Sequence, residues 1–223
     1  MRPGPKPKGK VSCVWSPEFA YAIGLLVTDG SLSKDGRHIS FTSKDLQLIE
    51  IFLKSLKIEC HIGKKASGSQ QEKKYFVVQI GDVNFYRFLL RIGLMPNKTK
   101  VIGEVQIPSQ YIIDFLRGHL DGDGTFYSYW DPRWKSSYMF YTVFVSASID
   151  HIVWLRRVLN EKFAIKGHIS KAKGKSCSQL KYAKQESLKL LRSLYYSDSV
   201  VCLERKRLKI SKALRTIGVE LKN

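Results

Sequence analysis

The chain has 223 residues and a formal net charge of +19, with 38 lysines and arginines against 19 aspartates and glutamates. This charge points to a polyanionic partner, and 43% hydrophobic residues are enough for a core, which excludes a wholly disordered basic tail. No apolar run reaches transmembrane length and the first residues lack a signal-peptide core, so we expect no membrane association and an intracellular location: cytoplasm, nucleoid or organelle matrix, not secreted.

The chain opens with a basic segment, which we place at residues 1–12. Its first ten residues, MRPGPKPKGK, are rich in proline, glycine and lysine and are not expected to pack. Two interpretations stay open for this segment. It is either a disordered tail or a flexible arm that lies along phosphate groups.

An apolar helix is predicted from Ser16 to Gly30. Ser16 is a good N-cap and Pro17 a good first helical residue. From Phe19 to Val27 nearly every residue is apolar or small, so we expect this helix to be buried on most sides. The pattern then predicts strands at 31–34 and 38–42, a helix at 44–57, strands at 61–65 and 75–80, and a helix at 83–92.

The same order returns after a basic connector at 93–107. A second apolar helix is predicted from Ser109 to Gly124, with Ser109 as its cap after Pro108. Gly24 and Gly118 stand in the middle of the two helices, as expected if the helices pack with their backbones close, and the terminal glycines should stop them. Further strands are predicted at 125–129, 139–146, 166–171 and 179–183, and helices at 149–163, 186–195 and 202–219.

These elements predict an α+β fold made of two αββαββα units related by a pseudo-two-fold axis. Each unit should contribute one antiparallel four-stranded sheet to a saddle, with the two long apolar helices packed together at its centre. We divide the chain into the arm at 1–12, a first half at 13–100, a linker at 101–107 and a second half at 108–223, and we expect a monomer.

Each apolar helix closes on an Asp-Gly pair, Asp29-Gly30 and Asp123-Gly124. A carboxylate is disfavoured at the negative end of a helix dipole, and two such helices side by side would bring two anions together. A divalent cation such as Mg²⁺ would relieve both penalties, since it takes carboxylate oxygens and keeps several waters. The alternative is that both aspartates only form Asp-Gly turns. The duplication in a basic chain favours the metal.

The segments AIGLLVTDG, at 22–30, and LRGHLDGDG, at 116–124, resemble the two signature helices of a single-chain LAGLIDADG homing endonuclease. The resemblance implies that Asp29 and Asp123 bind the catalytic metal, helped by the carbonyls of Thr28 and Gly122. The metal would be Mg²⁺ or Mn²⁺, while Ca²⁺ is an ion that can bind without supporting cleavage. Asp121 occupies the earlier acidic position of the motif and is assigned no catalytic role.

The resemblance implies a site-specific endonuclease that hydrolyses one phosphodiester per strand across the minor groove and leaves 3′ overhangs. Members of this family also place a basic residue from each half near the metal. Lys98 and Lys206 stand in comparable places, and Lys100, Arg205 and Arg207 are close competitors. Ser43 and Ser148 could orient water at the site, although helix N-capping is the interpretation we favour for both.

Double-stranded DNA is the expected partner, because a β-ribbon fits the major groove and reads the pattern of base edges there. The candidate contacts are polar or basic residues of strands and loop tips. In the first half they are Arg37, His38, Lys64, Lys65, Gln70, Gln71, Lys73 and Lys74. In the second half they are Arg133, Lys135, Lys171, Lys173, Lys175, Gln179, Lys181 and Lys184. Any one of them could instead be a solvated surface group.

Other functions explain less of the sequence. A non-cleaving binder, either an intron RNA maturase or a DNA-binding regulator, is the main alternative, and a basic ribosome-associated protein would not explain the duplicated aspartates. The histidines show no metal-ligand spacing, and no nucleotide-binding loop or hydrolase motif is present. Four scattered cysteines without a Cys-x-x-Cys pair indicate reduced thiols.

Overall fold

The computed structural model describes residues 9–66, 72–171 and 176–221. The first half runs α1 (Pro17–Asp29), β1 (Gly30–Leu32), β2 (His38–Ser43), α2 (Leu46–Leu56), β3 (Gly63–Lys65), β4 (Tyr75–Gly81) and α3 (Val83–Arg91). The second half runs α4 (Ile112–Asp121), β5 (Thr125–Trp130), β6 (Tyr138–Ser146), α5 (Ile149–Phe163), β7 (His168–Lys171), β8 (Ser178–Tyr182), α6 (Lys184–Leu194) and α7 (Glu204–Arg215).

The two halves build sheets of the same topology. Both are antiparallel and four-stranded, with the orders β1-β2-β4-β3 and β5-β6-β8-β7. The predicted α+β fold with two four-stranded sheets and packed helices is therefore confirmed. Within the described residues, no helix has the length and apolar character needed to span a bilayer.

Each sheet packs one face on helices. In the first sheet Ile39 pairs with Ile80 across the strands and both are buried, and the ring of Phe41 lies 4.4 Å from that of Phe52 on α2. In the second sheet Thr142 is fully buried and its hydroxyl hydrogen-bonds to Ser187 of α6. Because side chains alternate along a strand, the residues between these point to the opposite face, which we call the open face.

The two motif helices, α1 and α4, pack at the centre of the molecule. Every residue from Phe19 to Val27 is buried, as the sequence predicts. A Cβ atom on Gly24 would lie 2.3 Å from the carbonyl oxygen of Phe115, and one on Gly118 would lie 2.1 Å from that of Tyr21. The backbones thus touch at both glycines, and no larger residue fits at either place.

The ends of these helices differ from the prediction in two respects. Ser109 does not cap α4: it begins a 3₁₀ turn, and α4 starts at Ile112 without a side-chain cap. Neither terminal glycine stops its helix in the left-handed conformation, and Gly30 has φ −83°. Glycine is required there because a Cβ on Gly30 would meet the Leu26 oxygen at 2.5 Å, and one on Gly124 the Leu120 oxygen at 2.6 Å.

The linker at 101–107 is hydrogen-bonded to both halves. The Ser148 hydroxyl donates to the carbonyl of Ile102, and a ring nitrogen of His151 lies 2.7 Å from the carbonyl oxygen of Gly103. On the other side, the amide of Gln106 donates to the carbonyl of Ile92.

The predicted N-capping by Ser43 and Ser148 is wrong. The Ser148 side chain makes no capping hydrogen bond because its hydroxyl is bound to Ile102, and α2 is capped by Asp45 rather than Ser43.

Candidate metal centre and nucleic-acid interface

The aspartates of the two motifs lie at the junction of the halves. Asp29 is the last residue of α1, and Asp123 follows the end of α4 by two residues. A Cβ on Gly122 would lie 2.0 Å from the Thr28 hydroxyl oxygen and 3.1 Å from Oδ2 of Asp29. Gly122 must therefore lack a side chain so that Thr28 and Asp29 can pack against the second motif.

The environment of this pair favours their neutral forms. Asp29 is half-buried, and burial together with the charge of Asp123 raises its pKa from 3.8 to about 6. Asp123 is more exposed, but partial removal from water still raises its pKa, against the opposing effect of Lys98 and Lys206. The two carboxyl groups therefore resist ionisation in each other's presence. A cation bound between them would stabilise their ionised forms.

Lys98 and Lys206 lie beside these aspartates. Nζ of Lys98 donates to the carbonyl oxygens of Val27 at 2.7 Å and Thr28 at 3.4 Å. Burial lowers the pKa of Lys98 to about 8, although the charges of Asp123 and Asp29 oppose this effect. The competitor Lys100 lies at the other end of the same 3₁₀ turn and is exposed.

In the second half Lys206 takes the position that corresponds to Lys98 in the first half. Its Nζ lies within hydrogen-bonding distance of four carbonyl oxygens: Leu120 at 2.6 Å, Asp121 at 2.8 Å, Gly122 at 3.3 Å and Gly124 at 2.7 Å. Burial lowers its pKa to about 8 as well. The competitors Arg205 and Arg207 instead form ion pairs with Asp45 and Asp198.

The available donors suit a hard divalent cation. Two carboxylates and the nearby carbonyls of Thr28 and Gly122 offer only oxygen ligands, which Mg²⁺ prefers. In residues 9–66, 72–171 and 176–221 no group of three or more Asp, Glu, His or Cys side chains forms a complete metal cage. Such a cation would need further oxygens from water or a phosphate, as is usual for Mg²⁺ at phosphate-processing sites.

Asp121 lies next to the site but has a different environment. It is 1% exposed, and its Oδ2 accepts hydrogen bonds from the Tyr21 hydroxyl at 2.8 Å and the Leu203 amide at 2.7 Å. Burial raises its pKa to about 6. Because Leu203 precedes α7, Asp121 ties the end of α4 to the start of the helix that carries Lys206. This role could not be recognised from the motif alone.

The structure places some of the predicted DNA contacts on the open faces. His38 lies at the start of β2, beside Asp35, and Lys65 pairs with Tyr75 on that face. Gln179 and Lys181 alternate with buried Leu180 and so lie on the open face of the second sheet. Other predicted contacts lie outside the strands, so alternation assigns them to neither face: the exposed loop residues Arg37, Lys73, Lys74, Arg133 and Lys135, and the half-buried Lys184 at the start of α6.

Two predicted contacts lie on the helix-covered faces instead. Lys64 pairs with Phe76, and its Nζ is 5.6 Å from the centre of that ring. Lys171 pairs with buried Ser178. Four further predicted contacts lie outside the described residues: Gln70, Gln71, Lys173 and Lys175.

The sequence analysis did not name several polar residues that strand alternation places on the open faces. They are Ser40, Thr42, Gln79, Tyr127 and Tyr141.

Comparison with known proteins gives one sequence match and several structural ones. Residues 16–93 match the family model described as a LAGLIDADG-like domain. No curated protein sequence matches the chain.

Three solved structures show the extent of the structural likeness. The homing endonuclease I-WcaI bound to its DNA recognition sequence is 14% identical, with a TM-score of 0.61 over 94% of this chain and 95% of that one. The meganuclease I-SmaMI bound to uncleavable DNA is 14% identical, with a TM-score of 0.60 over 94% and 92%. Full-length DUF199/WhiA from Thermatoga maritima is 16% identical, with a TM-score of 0.55 over 93% of this chain.

The chain spans only 63% of that full-length WhiA protein. At these identities the likeness establishes the fold, which includes both sheets and both motif helices. The chain therefore matches the LAGLIDADG-like model over residues 16–93, and as a whole it has the fold of the single-chain LAGLIDADG homing endonucleases and of WhiA.

Proposed function

We propose that this protein is a site-specific double-strand DNA endonuclease. It would recognise a long asymmetric duplex through its two open faces and hydrolyse one phosphodiester per strand across the minor groove, leaving 3′ overhangs. The observation that carries the proposal is the arrangement at the junction: two aspartates that resist ionisation, Asp29 and Asp123, with one lysine from each half beside them.

The division of the chain belongs to the same proposal. The first and second halves, at 13–100 and 108–223, would each bind one half of the target, while the linker at 101–107 holds them in one monomer. The predicted arm at 1–12 is packed at its end, where Val11 is buried and the amides of Lys10 and Val11 donate to Asp82, while residues 1–8 lie outside the described part of the chain. The lysines of this segment would add charge along the phosphates. Since the two open faces differ in sequence, the two half-sites would differ as well.

Asp29 and Asp123 would hold Mg²⁺ or Mn²⁺ through carboxylate oxygens, with the carbonyls of Thr28 and Gly122 as further donors. When bound, the cation would neutralise charge on the phosphate and make water a better nucleophile. The structures of I-DmoI in complex with DNA and Mn and with DNA and Ca support the choice of a divalent cation.

Lys98 and Lys206 would act through their Nζ atoms. Both ammonium groups are anchored by helix-end carbonyls, so little ordering is needed when a phosphate arrives. With pKa values lowered to about 8, each can place positive charge near the phosphate, or exchange a proton, close to neutral pH.

Cleavage of a randomised duplex library, with Mg²⁺ and with or without EDTA, tests the proposal. Sequencing of the cut ends should reveal staggered breaks at one long asymmetric motif, lost in EDTA and in the Asp29→Asn/Asp123→Asn double variant. A double variant that still cuts would refute the metal assignment.

Enrichment of bound sequences without cut ends would instead support the alternative, a non-cleaving DNA-binding regulator or an intron RNA maturase. The likeness to WhiA shows that this fold is not confined to proteins named as endonucleases. The selection would then be repeated with structured RNA.

A further inference from the structure

The open faces of the two sheets differ in chemistry. In the first sheet Ser31 pairs with Ser40, and Ser40 with Gln79, so small polar groups dominate its centre. In the second sheet the matching positions hold Thr125 paired with Val143, and Val143 with Lys181. One pair further along the hairpin on the same face, Tyr127 lies directly opposite Tyr141 across β5 and β6. The two halves therefore present unlike surfaces to a duplex.

Three tyrosines form one cluster on this second open face, which we call the tyrosine face: Tyr127, Tyr129 and Tyr141. The ring of Tyr141 lies 5.2 Å from that of Tyr127 and 6.2 Å from that of Tyr129, with interplanar angles of 18° and 9°. Tyr127 and Tyr129 are 6.4 Å apart at 9°. The core-side neighbours Phe126 and Phe140 are buried, whereas Tyr129 remains 42% exposed.

The packing of these rings limits what they can bind. The rings stack on one another, so their faces are partly covered and are poorly placed to take an unpaired base between them. The neighbouring Tyr129 side chain and partial burial raise the pKa of the Tyr141 hydroxyl, which therefore stays neutral. The three nearly parallel rings together form one aromatic surface on this face, of which Tyr129 is the exposed part.

In the major groove the apolar feature of a base pair is the C5-methyl group of thymine. We infer that the tyrosine face reads thymine methyl groups in the half-site bound by the second half, while the polar first sheet reads hydrogen-bonding edges. This inference rests on the proposed binding of duplex DNA. Gln179 and Lys181 on the same open face would supply the polar contacts beside it.

Replacement of thymine by uracil tests the inference, because it removes only the methyl group and keeps base pairing. In the duplex found by selection, each thymine would be replaced by deoxyuridine in turn, and Kd measured in EDTA at fixed salt. Replacements in the second half-site should weaken binding about three- to tenfold per methyl group in contact, and those in the first half-site should have little effect.

Two variants locate the contact on the protein. Tyr129→Ser should abolish the difference between thymine and uracil at the contacted position, and Tyr129→Phe should keep it. Tyr129 is exposed, so neither change disturbs the core.

A second half-site that lacks thymine, or that tolerates uracil throughout, would overturn the inference while leaving the proposed function intact. A chain that binds no duplex selectively would reject the proposed function, and this inference with it.

Discussion

Lys98 and Lys206 occupy equivalent places in the two halves, each with its ammonium group on the last carbonyls of the motif helix of its own half. Lys98 lies at the start of the 3₁₀ turn that comes after α3, whereas Lys206 lies in the first turn of α7. Different elements thus bring a cation to the same end of α1 and α4. Positive charge there stabilises the negative end of each helix dipole.

We expect Lys98→Met and Lys206→Met each to slow single-turnover cleavage by about 10²-fold, the usual effect of removing one group that stabilises developing charge. DNA binding should change far less, because many other cations face the duplex. Lys100→Met is the matched control for Lys98, since Lys100 is exposed on the same 3₁₀ turn. Equal loss of activity in the control would refute the distinction between the two lysines.

Asp29→Asn should stabilise the metal-free protein at neutral pH. Because the pKa of Asp29 is raised from 3.8 to about 6, the folded state binds that proton more tightly than the unfolded state does. Ionisation therefore costs stability as the pH rises from about 4 to about 6, and the full cost, about 1–3 kcal/mol, is present above that range. Thermal unfolding should show the variant melting about 2–8 °C higher at pH 7.5.

The same comparison below pH 4 is the internal control, because the carboxyl is then neutral in both states and the difference should vanish. Ca²⁺ at neutral pH should raise the Tm of the unmodified protein and have less effect on the variant. A variant that is less stable at every pH would contradict the assigned cause of the pKa shift.

Gly24→Ala should destabilise the fold. Its new methyl group would lie 2.3 Å from the Phe115 oxygen and 2.7 Å from the His119 nitrogen, both backbone atoms that cannot move without separating the helices. We expect a loss of at least 1–3 kcal/mol, as for other overpacked cores, measured by urea denaturation. Gly103→Ala is the control, because nothing lies within 4 Å of its Cβ position; a similar loss there would point to a different cause.

Asp121→Ala should destabilise the second half and displace Lys206. It would leave the Tyr21 hydroxyl and the Leu203 amide without their acceptor in a buried place, at a cost of about 1–3 kcal/mol for each group. Asp121→Asn keeps one acceptor oxygen and should retain most of the stability, measured by chemical denaturation. If both variants cleaved DNA at the normal rate, α7 would not depend on Asp121 for its position.

Binding should weaken steeply with salt, because each phosphate neutralised by a lysine or arginine releases counterions. Lys181→Gln should reduce the slope of log K against log salt by about one. Lys54→Gln, an exposed lysine on the helix-covered side of the first sheet, should leave the slope unchanged. A flat salt response in the unmodified protein would argue against the open faces as the DNA surface.

The sequence predicted the order of elements and the central helix contact, because apolar periodicity and the duplicated glycines report local structure and close packing directly. It could not show the start of α4 or the partner of Ser148, since these depend on the linker folding back on the second half. The tyrosine face was missed because charge, rather than strand alternation, guided the choice of contacts.

The burial of α1 from Phe19 to Val27 has a consequence for synthesis on the ribosome. Helix α1 is covered largely by α4, which lies in the other half of the chain and is translated later. At about 5–20 residues per second, the apolar surface of α1 waits several seconds for its partner. A nascent first half therefore exposes the apolar surface of α1, with Gly24 at its centre. That surface can associate with the α1 surface of a neighbouring nascent chain. We therefore expect the characteristic misassembly of this fold to be co-translational association of two first halves through α1.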